Sequence, residues 1–234
     1  MIFQAAAAAA SKLLTPEFRA VFFKSLGLTI LVLIGLWFGI GWLFEAFAVD
    51  PLGAMLPDMP QWAGWLGLFA AIFAGLALAL GLGLLIAPIT AIIAGFFLDD
   101  VAEVVERQDY PADPPGQALP FVTAAKVSLK FLGLVILGNL FALFLLLIPG
   151  VNIAAFFVVN GYLLGREFFE FAAMRFRSEA EAKELRRRNA GTVFGAGLLI
   201  AAVLSVPIVN LLTPLFAAAM MVHLHKMISQ RDGI

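Results

Sequence analysis

Two stretches decide how this chain folds: Leu147-Ile148-Pro149-Gly150-Val151-Asn152-Ile153 and Ser205-Val206-Pro207-Ile208-Val209-Asn210-Leu211. Each interrupts an apolar run near its middle with the same Pro-x-x-Asn pattern. Leu129 to Ile148 precedes the first and Ile153 to Gly165 follows it; Thr192 to Val206 and Leu211 to Val222 flank the second. Three of these four arms hold only about 12–15 residues, whereas a crossing of the hydrocarbon core takes about 20. Short, proline-broken apolar segments in matching positions read as internal repeats of half-membrane hairpins. The same lengths also admit four short complete crossings.

Outward from these stretches the apolar character continues. Apolar residues make up 62% of the 234 positions and charged ones 13%, with a mean hydropathy of +1.00. A soluble domain would carry about 25% charged residues, so the chain is read as one membrane domain, all-α, over 1–234. Leu26 to Val49 is the clearest span, with Glu45 its one charge. After a loop containing Pro51, Pro57 and Pro60, the run from Trp62 to Leu98 is too long for one crossing: 37 residues make roughly 55 Å of helix. It is expected to bend at Pro88 and emerge carrying Asp99, Asp100, Glu103, Glu106 and Arg107. The expected division is an interfacial helix over 1–24, long transmembrane helices over 26–49 and 62–107, and a linker over 108–125. A first hairpin over 126–175, a basic cytoplasmic segment over 176–191 and a second hairpin over 192–227 complete it.

In the interfacial segment, Ile2, Phe3, Leu13, Leu14, Phe18, Phe22 and Phe23 form the expected lipid-facing side, with Lys12, Arg19 and Lys24 among headgroups. Thr15-Pro16-Glu17 should break it in two, because proline suits the first turn of a new helix. All 15 Lys and Arg fall within 12–24, 107–130, 166–188 and 226–231, and the loop 50–61 has two aspartates and no base. The positive-inside rule therefore places both termini and the central linker in the cytoplasm.

The absence of cysteine excludes disulfides and thiolate chemistry. His223 and His225 point to different faces of a helix, which makes a poor chelate, so no metal is expected. No nucleophile motif, phosphate-binding loop or cofactor signature is present, and no nucleic-acid partner is expected. An anion path would need fixed positive charge or aimed N–H groups, since a dianion in a low dielectric is very costly. Arg19, Lys24, Arg107, Lys126, Lys130, Arg166 and Arg175 are candidates. Arg166 and Glu170 are i,i+4 neighbours, Glu167 lies beside them, and Glu103 and Glu106 with Arg107 offer partners from the other emerging helix. The set reads either as the charged lining of a pore or as an interfacial belt that joins helices. Glu179 to Arg188 reads as a solvated face touching anionic lipid. At the tips, Asn152 and Asn210 cap the half-helices that follow Pro149 and Pro207, or leave positive helix ends facing an anion.

The chain resembles the CysZ sulfate permeases of bacterial inner membranes and, more widely, the etoposide-induced membrane proteins. The resemblance rests on Pro16-Glu17-Phe18-Arg19, Ala87-Pro88, Ile148-Pro149-Gly150-Val151, Gly161-Tyr162-Leu163-Leu164-Gly165-Arg166-Glu167, and Val206-Pro207-Ile208-Val209-Asn210-Leu211. It implies two long transmembrane helices with two half-penetrating hairpins, assembly as a homo-oligomer, and sulfate uptake feeding sulfur assimilation and cysteine synthesis. The sulfate motif it implies, Gly-aliphatic-Arg with a second arginine, falls on Glu17, Phe18, Arg19 and Ala20: Arg19 is kept, glutamate replaces the glycine and alanine the second arginine. A non-transporting scaffold and an envelope-modifying enzyme are the other classes in play.

Overall fold

The computed structural model describes residues 1–45, 97–120, 151–206 and 209–233, with isolated positions between them; of 43, 44, 151–153, 210 and 211 the backbone alone is described. Described residues are helical or irregular, with no strand among them. The elements are α1 (Ile2–Lys12), α2 (Pro16–Phe44), α3 (residues 97–109), α4 (Val151–Met174), α5 (Glu179–Arg188), α6 (Ala190–Leu204), a 3-10 turn (Val209–Leu212) and α7 (Thr213–Asp232). The chain forms two compact units, Met1–Phe23 with Ala94–Ile234 and Lys24–Ile93.

Pro16 opens α2, and the residues expected to end the interfacial segment run straight on into the first span as one helix of 29 residues. Proline fits there because an N–H in the first turn has no intrahelical acceptor. Pro16–Trp42 is, among the described residues, the helix long and apolar enough to cross a membrane, with a mean hydropathy of 2.1. Within the second unit, Leu31, Trp37, Phe38 and Trp42 are exposed on it, as a helix apolar all round requires in lipid. Ser25 and Thr29 are buried there, and the Thr29 hydroxyl donates to the Ser25 carbonyl at 2.8 Å.

The first unit is a helical body built on α4, which packs against α5, α6 and α7, while α1 packs on α7. Two features bear on the side of the N-terminal segment expected to face lipid, and the second corrects it at Phe18. The alanine run turns Ala5 and Ala9, both fully buried, towards protein, and Phe18 is 1% exposed within the core instead of facing lipid. Phe3 and Leu14 do remain exposed. Alanine faces let helices approach closely, and in lipid it is such close packing, with no gain from leaving water, that draws a side chain such as Phe18 into the protein.

The α4–α6 crossing is closer still. A Cβ on Gly197 would lie 1.9 Å from the Gly161 carbonyl oxygen and 2.8 Å from Gly165, and one on Gly165 would lie 2.6 Å from the Val193 oxygen. Only hydrogen fits at those positions. The arms read as short from their apolar runs continue past them: α4 has 24 residues and α7 has 20, whereas α6 has 15. Glu179–Arg188 folds as read, a short charged helix, opened by Ser178 and Glu181 in a reciprocal cap. The bend expected at Pro88, the loop 50–61, the rising arm of the first hairpin and the tips Pro149 and Pro207 lie outside the described residues. Asn152 lies in the first turn of α4 and Asn210 in the 3-10 turn.

Candidate functional site

Charged side chains of the first unit gather into three clusters at the ends of α3, α4 and α7. In the first, Arg175, just past the end of α4, is 2% exposed and grips Glu106 of α3, itself 5% exposed. Its Nε donates to Oε1 at 2.7 Å and its Nη2 to Oε2 at 3.1 Å. The planar guanidinium suits this two-point grip. Its remaining arm, Nη1, donates to Asp99 one helical stretch earlier. The linker closes over the top: the Gly116 N–H donates to Glu106 Oε2 at 2.9 Å, and the Gln117 N–H to the Arg175 carbonyl at 2.8 Å. A Cβ on Gly116 would lie 2.9 Å from Glu106 Oε1, so this strand of linker needs glycine for its approach. Burial pushes the Asp99 carboxyl above its usual range, more than Arg175 draws it down. Burial also works against the Arg175 charge, but the bonds and charges of Glu106 and Asp99 outweigh it and hold the guanidinium protonated. One cation thus faces two acidic groups.

In the second cluster Glu170 Oε1 accepts from Arg166 Nε at 3.3 Å, one turn back on α4, and from Arg186 Nε of α5 at 2.7 Å. In the third, the linker docks on α1 and α7. Asp109 pairs with Lys12 at 2.6 Å and lies 3.5 Å from His223 Nε2, without hydrogen-bond geometry to it. The Tyr110 hydroxyl meets His223 Nδ1 at 3.0 Å, and Lys226 donates to Asp113 at 2.9 Å from above the Phe176 ring. Burial, then the charges of Asp109 and Asp113, push the Tyr110 phenol up to about 12.

Of the residues singled out in the sequence, Arg166, Glu170 and Arg175 lie in these clusters, and Glu106 supplies the partner from α3. Glu103 does not reach α4; it pairs with Arg107 at 3.9 Å, both more than 60% exposed. Arg19 is exposed in the second turn of α2, and Glu167 is half-buried on α4. Asp99 and Arg186 were missed as partners. Asp99 reads as the helix leaving the membrane, and Arg186 as one of three arginines on a solvated face; its partner Glu170 is 16 residues away. The acidic and aromatic linker residues 109–113 gave one usable signal, their density beside a proline run. Among the described residues no three His, Asp or Glu converge as metal ligands.

The family model described as sulfate transporter CysZ/etoposide-induced protein 2.4 matches residues 5–214. The chain belongs to this family. No individual curated protein matches the sequence. As a family member it is a membrane protein of transporter type, and the match takes in α1 to α6, the linker and the start of α7. In this CysZ/etoposide-induced chain, the clusters tie the linker to five helices, α1, α3, α4, α5 and α7, and each cluster cation is already opposed by a carboxylate.

Proposed function

We propose that the protein is a channel-like permease for sulfate or a related oxyanion, seated in the bacterial inner membrane with its N-terminus in the cytoplasm and supplying sulfur assimilation. The family match over residues 5–214 carries this reading. Ion pairing refines it. Arg166 and Arg175 face Glu170, and Glu106 with Asp99, so neither presents net positive charge to a dianion. Arg19 is the motif cation, and it is exposed near the start of the membrane-capable helix. Anion contact is therefore assigned to Arg19. The clusters around Arg175, Glu170 and Lys226 position the helices that flank the path, and Glu103, Arg107 and Glu167 tune charge near its cytoplasmic end.

The hairpins belong to the same proposal. At 15 residues, α6 spans about 22 Å, short of the roughly 30 Å hydrocarbon core, which supports a wedge that enters and turns back near Pro207. The native chain lacks cysteine, so Val206→Cys gives a clean probe. A wedge tip resists membrane-impermeant maleimide from the periplasmic side, whereas full labelling from that side would mean a complete crossing. Half-membrane wedges do not enclose a pore singly, so the working unit is a homo-oligomer.

Labelled sulfate uptake into proteoliposomes tests the function. Wild type should admit sulfate and Arg19→Ala should lose most of that flux; normal flux in Arg19→Ala rejects the assigned contact, and no flux in wild type rejects the permease. One observation favours a second reading, a non-transporting membrane scaffold: Glu17 stands where the family motif has glycine, and a carboxylate beside a dianion is unfavourable.

A further inference from the structure

The start of α7 combines two features that no ion cluster uses. The helix is 20 residues long, and its N-cap, Leu212, offers no side-chain acceptor to the first turn. Such a turn carries a partial positive charge, and with Pro214 second in it the N–H groups without acceptors inside the helix are those of Thr213 and Leu215. Its first residue, Thr213, is 2% exposed, and its hydroxyl has no hydrogen-bond partner among the described residues. An unpartnered buried hydroxyl costs about 1–3 kcal/mol, so this position is costly unless something accepts from it. Valine has the same shape and would fill the space without that penalty.

We propose that the α7 N-terminus and the Thr213 hydroxyl form a neutral relay site for a tetrahedral oxyanion, sulfate being the class member named by the permease reading on which this rests. The hydroxyl donates to one anion oxygen and the positive helix end faces the others. A neutral site suits a conduit: it offsets part of the desolvation cost without holding the ion as an arginine fork would, and conduction needs sites that release. Arg19, exposed on α2, would concentrate the anion, and Thr213 would receive it within the second hairpin.

The test uses the full-length protein in detergent and in proteoliposomes, with Thr213→Val and Thr213→Ser, and sodium sulfate against sodium gluconate at equal ionic strength. In wild type, sulfate should raise the melting temperature and saturate the flux. Thr213→Val should melt at or above the wild-type temperature in gluconate, because a costly hydroxyl is gone. It should also lose the sulfate-dependent rise, and its KM for sulfate should increase about tenfold or more, the worth of a hydrogen bond to a charged group. Thr213→Ser should restore both. A Thr213→Val protein that keeps the sulfate rise and the wild-type KM overturns the relay site and leaves the permease standing. A wild type with neither sulfate-dependent rise nor flux overturns the permease reading itself and the relay with it. A Thr213→Val protein that melts lower in gluconate assigns the hydroxyl a structural role and overturns the relay too.

Discussion

The α4–α6 crossing and α2 carry the same glycine spacing and use it in opposite ways. Gly161 and Gly165 of α4 lie four residues apart against Gly197 of α6, at distances that leave no room for a methyl group. Gly35 and Gly39 of α2 are also four apart, and a Cβ on either would meet nothing within 4 Å among the described residues. The spacing places small residues on one helix face in both cases; the partner decides whether the face is a contact. In the first unit the contact is filled from within the chain. The difference teaches that a small-residue motif states an opportunity for close packing, and that only a second helix converts it into energy.

The largest break in this comparison is Gly197→Val. Its added carbon would collide with backbone that cannot rotate away, so a loss of about 3 kcal/mol or more is expected, read as lost folded protein or a steep drop in melting temperature. Gly35→Ala should leave melting unchanged or slightly higher, since alanine is the better helix former. Equal damage from both would mean that α2 is as tightly packed as α4.

Next comes the same contrast in ion pairs. Arg175→Ala strands Glu106 in a dry site and should cost about 3–5 kcal/mol. Arg107→Ala removes one half of an exposed pair at 3.9 Å and should not measurably change stability. Smaller than Arg175→Ala is Glu170→Gln, which weakens the attachment of α5 to α4 by loosening Arg186. A loss on the order of 1–3 kcal/mol is expected, with protease access to the segment around Ser178 as the readout.

The smallest effect is a titration. Of the two tyrosines, Tyr110 should release its proton at about 12, its ordinary value being 10. The folded state then holds that proton more tightly than the unfolded one. The stability from this group is complete below about pH 10 and lost as pH rises towards 12. Subtracting the phenolate absorbance of Tyr110→Phe from wild type gives its curve, and an inflection near 10 would show that the linker does not bury it.

Part of this was legible along the chain. Pro16 announced a helix start, Arg166 and Glu170 announced a one-turn pair, and Glu179 to Arg188 announced a charged helix, because each depends on neighbours within a few residues. The grip of Arg175 on Asp99 was not, since 76 residues separate them. Arg186 looked the same as its exposed neighbour Arg187 until α5 folded back on α4. Phe18 shows the same limit: an aromatic near a membrane span satisfies lipid and core equally by composition, and only the folded core of the first unit took it in.

By itself, then, the sequence determined the solvent and the repertoire. A chain with 62% apolar and 13% charged residues must hide its backbone in helices within lipid, because no water there satisfies a free N–H or carbonyl. Which helix faces meet protein and which cations are neutralised by a carboxylate were settled only in three dimensions. Charge pairing and close packing act over a few ångströms of space, and the residues they join lie far apart along the chain.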